Sequence, residues 1–267
     1  MEEKTSSKKL LFNIIKVVLV VVLLGVVGVA VYISQYYETE EQVKEVMGVS
    51  ANVYVTQGDD MIIYTPSNIT PREGIIFYPG NKIEYTAYAP MLKMMASQGF
   101  ACILLEMPYN LPILDKDAAN KAMDKLEFVS DWYIGGHGSG GRIAAEFASE
   151  NTDLVKGVFL LGAFSTNDLS DSGLKVISLY GTEDKVMNIK KYNKYKDMLP
   201  DDFTEVIIEG GNFGSFGYYG DHKNDGTASI TKYQQQAYSA INILGLITGQ
   251  EITTTLEDIA AYENKTE

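Results

Sequence analysis

The chain opens on a run of residues with no polar face. From Val17 to Ile33 no charge interrupts a series of Val, Leu, Ile and Gly. Extended back through Leu10-Leu11-Phe12, with Asn13 and Lys16 as polar interruptions, the run can cross ~30 Å of hydrocarbon as one helix. Its β-branched content is no objection, because in lipid the backbone has no other partner. Lys4, Lys8, Lys9 and Lys16 lie before the run; Glu38, Glu40 and Glu41 follow it, after Tyr32, Tyr36 and Tyr37 at interface depth. That bias predicts a single-pass anchor in the cell membrane, N-terminus cytoplasmic and the rest extracytoplasmic. A cleaved signal peptide is the competing reading. It has a small-x-small site at Gly28-Val29-Ala30, but the apolar run is long for it.

After residue 50 the pattern changes to short apolar runs alternating with helical spacing. Val53–Thr56 and Met61–Tyr64 flank the turn Gly58-Asp59-Asp60 and read as a hairpin. Gly74–Tyr78, Ala101–Glu106, Asp131–Ile134, Val158–Leu161, Val176–Leu179 and Glu205–Ile208 read as buried strands. Ala87–Gln98, Asp117–Leu126, Arg142–Ser149 and Ile230–Thr248 read as helices. The alternation predicts an α/β fold, a mostly parallel sheet with helices on both faces and sites at the carboxyl ends of its strands. The expected organisation is a cytoplasmic N-terminus (1–9), an anchor (10–33), a stalk (34–50), one domain (51–250) and a mobile or loosely docked tail (251–267).

Composition narrows the chemistry. A formal charge of −13 argues against binding nucleic acid or anionic membrane surfaces electrostatically. One cysteine, Cys102, excludes an intramolecular disulfide. Two histidines and no Cys/His cluster make a metal site improbable, and no cofactor is expected.

The strand at 131–134 runs into Gly135–Gly141, and a helix leaves it, the frame of a nucleophile elbow. Such an elbow needs small residues two before, two after and three after its tip. With the tip at Gly138 those positions are Gly136, Gly140 and Gly141, and all fit. With the tip at Ser139 they are His137, Gly141 and Arg142, and two fail. The register favours Gly138, which has no nucleophile. A phosphate-cradling glycine turn is the bland alternative, but neither G-x-G-x-x-G nor a following Lys-Ser/Thr is present.

The stretches FYPGNKIEYTAYAPMLKMMASQGF, WYIGGHGSGGRIAA, NDLSDSGLKVISLYGTEDKV and EGGNFGSFGYYG together resemble an α/β-hydrolase of the dienelactone-hydrolase-like, small bacterial esterase type. The resemblance runs from about Val53 to about Gly249. It implies the α/β-hydrolase fold and places the catalytic acid at Asp184. It places the nucleophile at Gly138 and the histidine at Phe213, and neither is retained. It puts the oxyanion hole at the backbone N–H groups of Asn81 and Ser139, which survive any side-chain change.

Two expectations follow. The first is a membrane-anchored pseudo-hydrolase that acts by binding a small molecule or a protein at its cleft. The second is a carboxylic ester hydrolase with a shifted nucleophile, Ser139, served by His222 or His137 and oriented by Asp184. A third reading makes it an interaction protein whose cleft is irrelevant. His137 also reads as a structural histidine, His222 as an exposed loop residue and Asp184 as a helix cap.

Overall fold

The computed structural model describes residues 2–46 and 52–266. Residues 47–50 of the expected stalk lie outside them. The chain divides into two compact units, Met1–Tyr36 and Tyr37–Glu267.

The first unit is one helix, α1 (Glu2–Ser34). Its segment Leu11–Ser34, 24 residues with a mean hydropathy of 3.1, is a candidate membrane span.

The second unit is built on an eight-stranded sheet. The strands are β1 (Val53–Gln57), β2 (Met61–Pro66), β3 (Glu73–Tyr78), β4 (Ala101–Leu105), β5 (Asp131–His137), β6 (Val155–Leu161), β7 (Lys175–Gly181) and β8 (Thr204–Ile208). Their order is β1-β2-β4-β3-β5-β6-β7-β8. The β1–β2 hairpin is antiparallel and joins the sheet antiparallel to β4; the strands from β3 to β8 are parallel. The central strands read as unbroken apolar runs because both faces are covered.

Alternate side chains of each strand feed two cores. On one face Ile75, Phe77, Cys102 and Leu179 pack against α3 (Ala89–Ser97) and α7 (Lys232–Thr248). On the other, Ile76, Ile103, Ile134 and Leu160 pack against α4 (Ala118–Met123) and α5 (Ser139–Glu150). The helix expected from Ala87 starts at Ala89, after a 3₁₀ turn at Tyr85–Tyr88. Pro90 sits in its first turn, where its missing N–H costs nothing. Helix α7 begins on a capping box between Thr231 and Gln234 and ends at Gly249, whose φ is 71°. Helix α6 (Ile189–Tyr195) completes the βα alternation.

Two segments assigned outside the domain belong to the second unit. Part of the expected stalk is docked: Tyr37 bridges to Ile83, the Thr39 and Thr86 hydroxyls share a buried hydrogen bond of 2.6 Å, and α2 (Glu41–Val46) buries Val43. The expected loose tail contains a helix, α8 (Leu256–Thr266). It buries Ile259, and its Glu263 accepts hydrogen bonds from Thr231 and Gln234 at the start of α7. The sequence signal was weak because this helix is largely polar and has one strongly buried anchor.

Candidate functional site

The parallel strands end together, and the loops leaving them converge on Gly138. Strand β5 turns into α5 there with φ 54° and ψ −114°. That is a left-handed conformation that glycine adopts freely and other residues adopt under strain. The neighbouring glycines are demanded by contact. A Cβ on Gly136 would stand 2.2 Å from the Tyr78 carbonyl oxygen, and one on Gly140 2.2 Å from that of Pro79. The turn therefore packs directly on the loop after β3, as an elbow with its tip at 138 requires.

Phe213 follows β8 and lies against this tip. Its ring Cζ is 2.8 Å from the point a Cβ at Gly138 would occupy. At its other end, ring Cδ2 is 2.9 Å from the equivalent point on Gly162, which is itself 3.3 Å from Asp184 Oδ2. The ring thus spans the gap between the elbow tip and the acid. It is 7% exposed and stacks obliquely on His137, centroids 4.0 Å apart.

Asp184 sits in the loop after β7. Its Oδ1 accepts from the amides of Val186 and Met187, each at 2.8 Å. Its Oδ2 is buried with no hydrogen-bond partner. Burial pushes its pKa from 3.8 up to about 6; the two amides oppose this and Asp225 adds to it.

His137 is fully buried. Its Nδ1 meets the Tyr88 hydroxyl at 2.8 Å, and that hydroxyl also accepts the Gly80 amide at 3.1 Å. Nε2 makes no closed hydrogen bond, although the Phe213 main chain lies nearby. Burial, with His222 adding to it, lowers the His137 pKa to about 3, so the ring is neutral at neutral pH.

Ser139 is the first residue of α5. Its hydroxyl oxygen is buried and makes no hydrogen bond, to a base or to anything else. Its amide is among the unpartnered N–H groups of the helix start. The Asn81 amide donates no backbone hydrogen bond among the described residues. His222 is half-buried. It stacks on Tyr37 at 4.9 Å, meets the edge of Phe213 at 5.0 Å, and its Nδ1 pairs with the Lys223 carbonyl at 3.0 Å. Burial lowers its pKa.

The structure brings Gly138, Phe213, Asp184 and His137 together. It leaves Ser139 without a base, and His222 beyond Phe213. Three further residues complete the site, two unremarked in the sequence and one, Tyr37, expected at interface depth beside the anchor but docked in the second unit. Asp225 ties the acid loop to the Phe213 loop, accepting from Lys185 and Gly226 through Oδ1 and from Gly214 through Oδ2. Tyr88 holds His137. Tyr37 accepts from the Lys223 amide at 3.0 Å and packs on Tyr219. Asp225 carried a faint signal as a short acidic residue in a glycine-rich loop; Tyr37 read as an interface tyrosine, and its docking here was hidden because its partners are distant in sequence.

A polar pocket of about 370 Å³ opens beside this loop, lined by Asn212, Ser215, His222 and Asp225 among others. A more apolar one of about 650 Å³ lies between α3, α7 and α8, away from the elbow. Among the described residues no three His, Cys, Asp or Glu side chains are grouped to hold a metal. The elbow site offers one carboxylate acceptor, Asp184, and the Ser139 hydroxyl is paired with no base.

Comparison with known proteins agrees with this architecture. The profile of the alpha/beta hydrolase family matches residues 74–237. The chain is similar in structure to TT1662 from Thermus thermophilus, with a TM-score of 0.55 at 11% identity over 74% of this chain and 97% of that one. It is also similar to Est1E from Butyrivibrio proteoclasticus, with a TM-score of 0.52 at 14% identity over 74% and 100%. At such identities the likeness speaks for the fold alone. No curated protein matches the chain in sequence. With a match across most of the sheet, and an elbow, acid loop and final loop in the chain order of that fold, this chain belongs to the alpha/beta hydrolase family.

Proposed function

We propose that this protein is a membrane-anchored, extracytoplasmic pseudo-hydrolase that works by binding a ligand at the face around Gly138. The observation that supports the reading is the Phe213 ring packed against the Gly138 tip on the side of Asp184; on this reading Phe213 takes the place of the base and Gly138 that of the nucleophile. Phenylalanine can neither take nor give a proton, and glycine offers nothing to attack with. Losing both groups removes several orders of magnitude of rate, while oxyanion stabilisation alone retains ~10³–10⁴-fold over water. The amides of Asn81 and Ser139 remain to bind a carbonyl or carboxylate oxygen. The shifted-nucleophile alternative has no comparable support, since Ser139 Oγ touches no base.

The test is fluorophosphonate labelling of the full chain in detergent. Wild type and Ser139→Ala stay unlabelled, and Gly138→Ser/Phe213→His labels. Labelling of wild type that disappears in Ser139→Ala overturns the reading and makes Ser139 a nucleophile.

A further inference from the structure

The loop after β4 has a construction that the fold does not require. It leaves Leu105 and runs through Met107-Pro108-Tyr109-Asn110-Leu111-Pro112-Ile113-Leu114. Met107, Leu111 and Pro112 turn inward and are buried. Tyr109, Ile113 and Leu114 turn outward and are 63%, 52% and 54% exposed. Among the described residues, the other large exposed apolar residues of the second unit stand far apart along the chain. Three within one short loop form a patch, and such patches mark contact sites.

The backbone holds this arrangement under strain. Tyr109 and Asn110 both have positive φ, 53° and 56°. For a bulky residue such as tyrosine that is a genuine outlier. Strain of this kind persists where surrounding structure over-determines it, and it clusters at functional positions. Pro108 and Pro112 stiffen the loop on both sides. Asn110 also accepts from the Lys82 amide at 2.6 Å, locking the loop to the residue beside Asn81. Of the charges that follow, Asp115 pairs with Lys121 at 2.8 Å and Lys116 with Glu146 at 2.5 Å. The loop is a rigid apolar prong with no charged residue from Met107 to Leu114; the exposed Glu106 and Asp117 stand at its base.

We propose that this prong is a membrane-surface contact, in which Tyr109, Ile113 and Leu114 insert into the interfacial layer of a bilayer. Three observations select lipid over a protein partner. A tyrosine beside two aliphatic residues is the composition of the interface, where an amphipathic ring sits at headgroup level and aliphatic side chains go deeper. The chain carries its own candidate membrane span, Leu11–Ser34. The prong is also continuous with the start of the second unit: Lys82 donates to Asn110 and its carbonyl accepts from the Tyr37 amide at 2.8 Å. Only Gln35 and Tyr36 stand between Tyr37 and the last residue of that span. The inference rests on the reading of α1 as a membrane anchor, and its test separates the two.

The experiment uses the full chain in phosphatidylcholine nanodiscs with or without brominated acyl chains. Tryptophan is introduced singly as Ile113→Trp, as Leu154→Trp before β6 and as Val21→Trp in α1. The native Trp132 is buried and gives a constant background. The expected result is loss of emission with brominated lipid for Ile113→Trp and Val21→Trp, and none for Leu154→Trp. Quenching of Val21→Trp without Ile113→Trp overturns the proposal and leaves the anchor standing. Quenching of neither overturns both, and equal quenching of Leu154→Trp shows a non-specific contact and also overturns the prong.

Discussion

The Phe213 ring lies 2.8 Å from the point where Gly138 would carry a Cβ, so the two residues are fitted to each other and neither can change alone without cost. Gly138→Ser places a side chain in overlap with the ring and in a left-handed conformation. It is expected to destabilise by ~1–3 kcal/mol from overpacking, with further backbone strain. Combined with Phe213→Ala, the overlap disappears and the serine costs only its strain. A double-mutant cycle by urea unfolding should therefore give a coupling of ~0.5–3 kcal/mol. Additive effects would mean that the ring moves aside freely.

Replacing the ring by imidazole should reach Asp184. Phe213→His puts a ring N–H close to the unpartnered Oδ2, and a hydrogen bond to a carboxylate favours its charged form. The Asp184 pKa, about 6 in the wild type, is expected to fall toward its ordinary 3.8. Carboxyl-carbon NMR titration measures this directly. An unchanged pKa would show that the Phe213 position does not address the acid.

Much of the architecture was legible in the chain, for physical reasons. Buried parallel strands must be continuous apolar runs, so Gly74–Tyr78 and Ala101–Glu106 announced themselves, the latter one residue longer than the strand Ala101–Leu105. The elbow was legible because its glycines answer backbone contacts. Gly136 and Gly140 face carbonyl oxygens at distances no Cβ tolerates. What stayed hidden depends on contacts between distant residues. Nothing local to Tyr37 says that it will stack on His222, and nothing at Thr231 says that Glu263 will come back to it. Gly138 and Phe213 could be singled out from the sequence, but their mutual fit shows only in the structure.

The docking of the C-terminal helix can be checked directly. Ile259 is its strongly buried anchor, 5% exposed. Ile259→Ala should cost ~2 kcal/mol of local stability, the low end for a buried Ile→Ala change because α8 is peripheral. The loss should appear as faster hydrogen exchange over Leu256–Thr266 while β3 and β5 stay protected. Unchanged exchange would mean that α8 is held by its polar contacts with Thr231 and Gln234.

His137 and Asp184 should pull the pH dependence of stability in opposite directions. The folded pKa of His137 is depressed from 6.5 to about 3. Its contribution is complete above 6.5 and is lost as pH falls toward 3, because the unfolded chain takes up the proton first. The folded pKa of Asp184 is raised, so its contribution is complete below 3.8 and is lost as pH rises through about 6. Between pH 4 and 6 acid therefore weakens the protein through one group and strengthens it through the other. His137→Gln removes the first and leaves the second. Urea midpoints of that variant, referred to its own value at pH 7, should fall less on acidification than those of wild type. Tyr88→Phe acts on the same histidine differently. It orphans the Gly80 amide and His137 Nδ1, at ~1–3 kcal/mol for each buried group left unpaired, and this cost is present already at pH 7. If the midpoints of wild type and His137→Gln change in parallel with pH, the histidine does not remain buried and neutral in the folded state, and the hydrogen-bond assignment of His137 with Tyr88 fails with it.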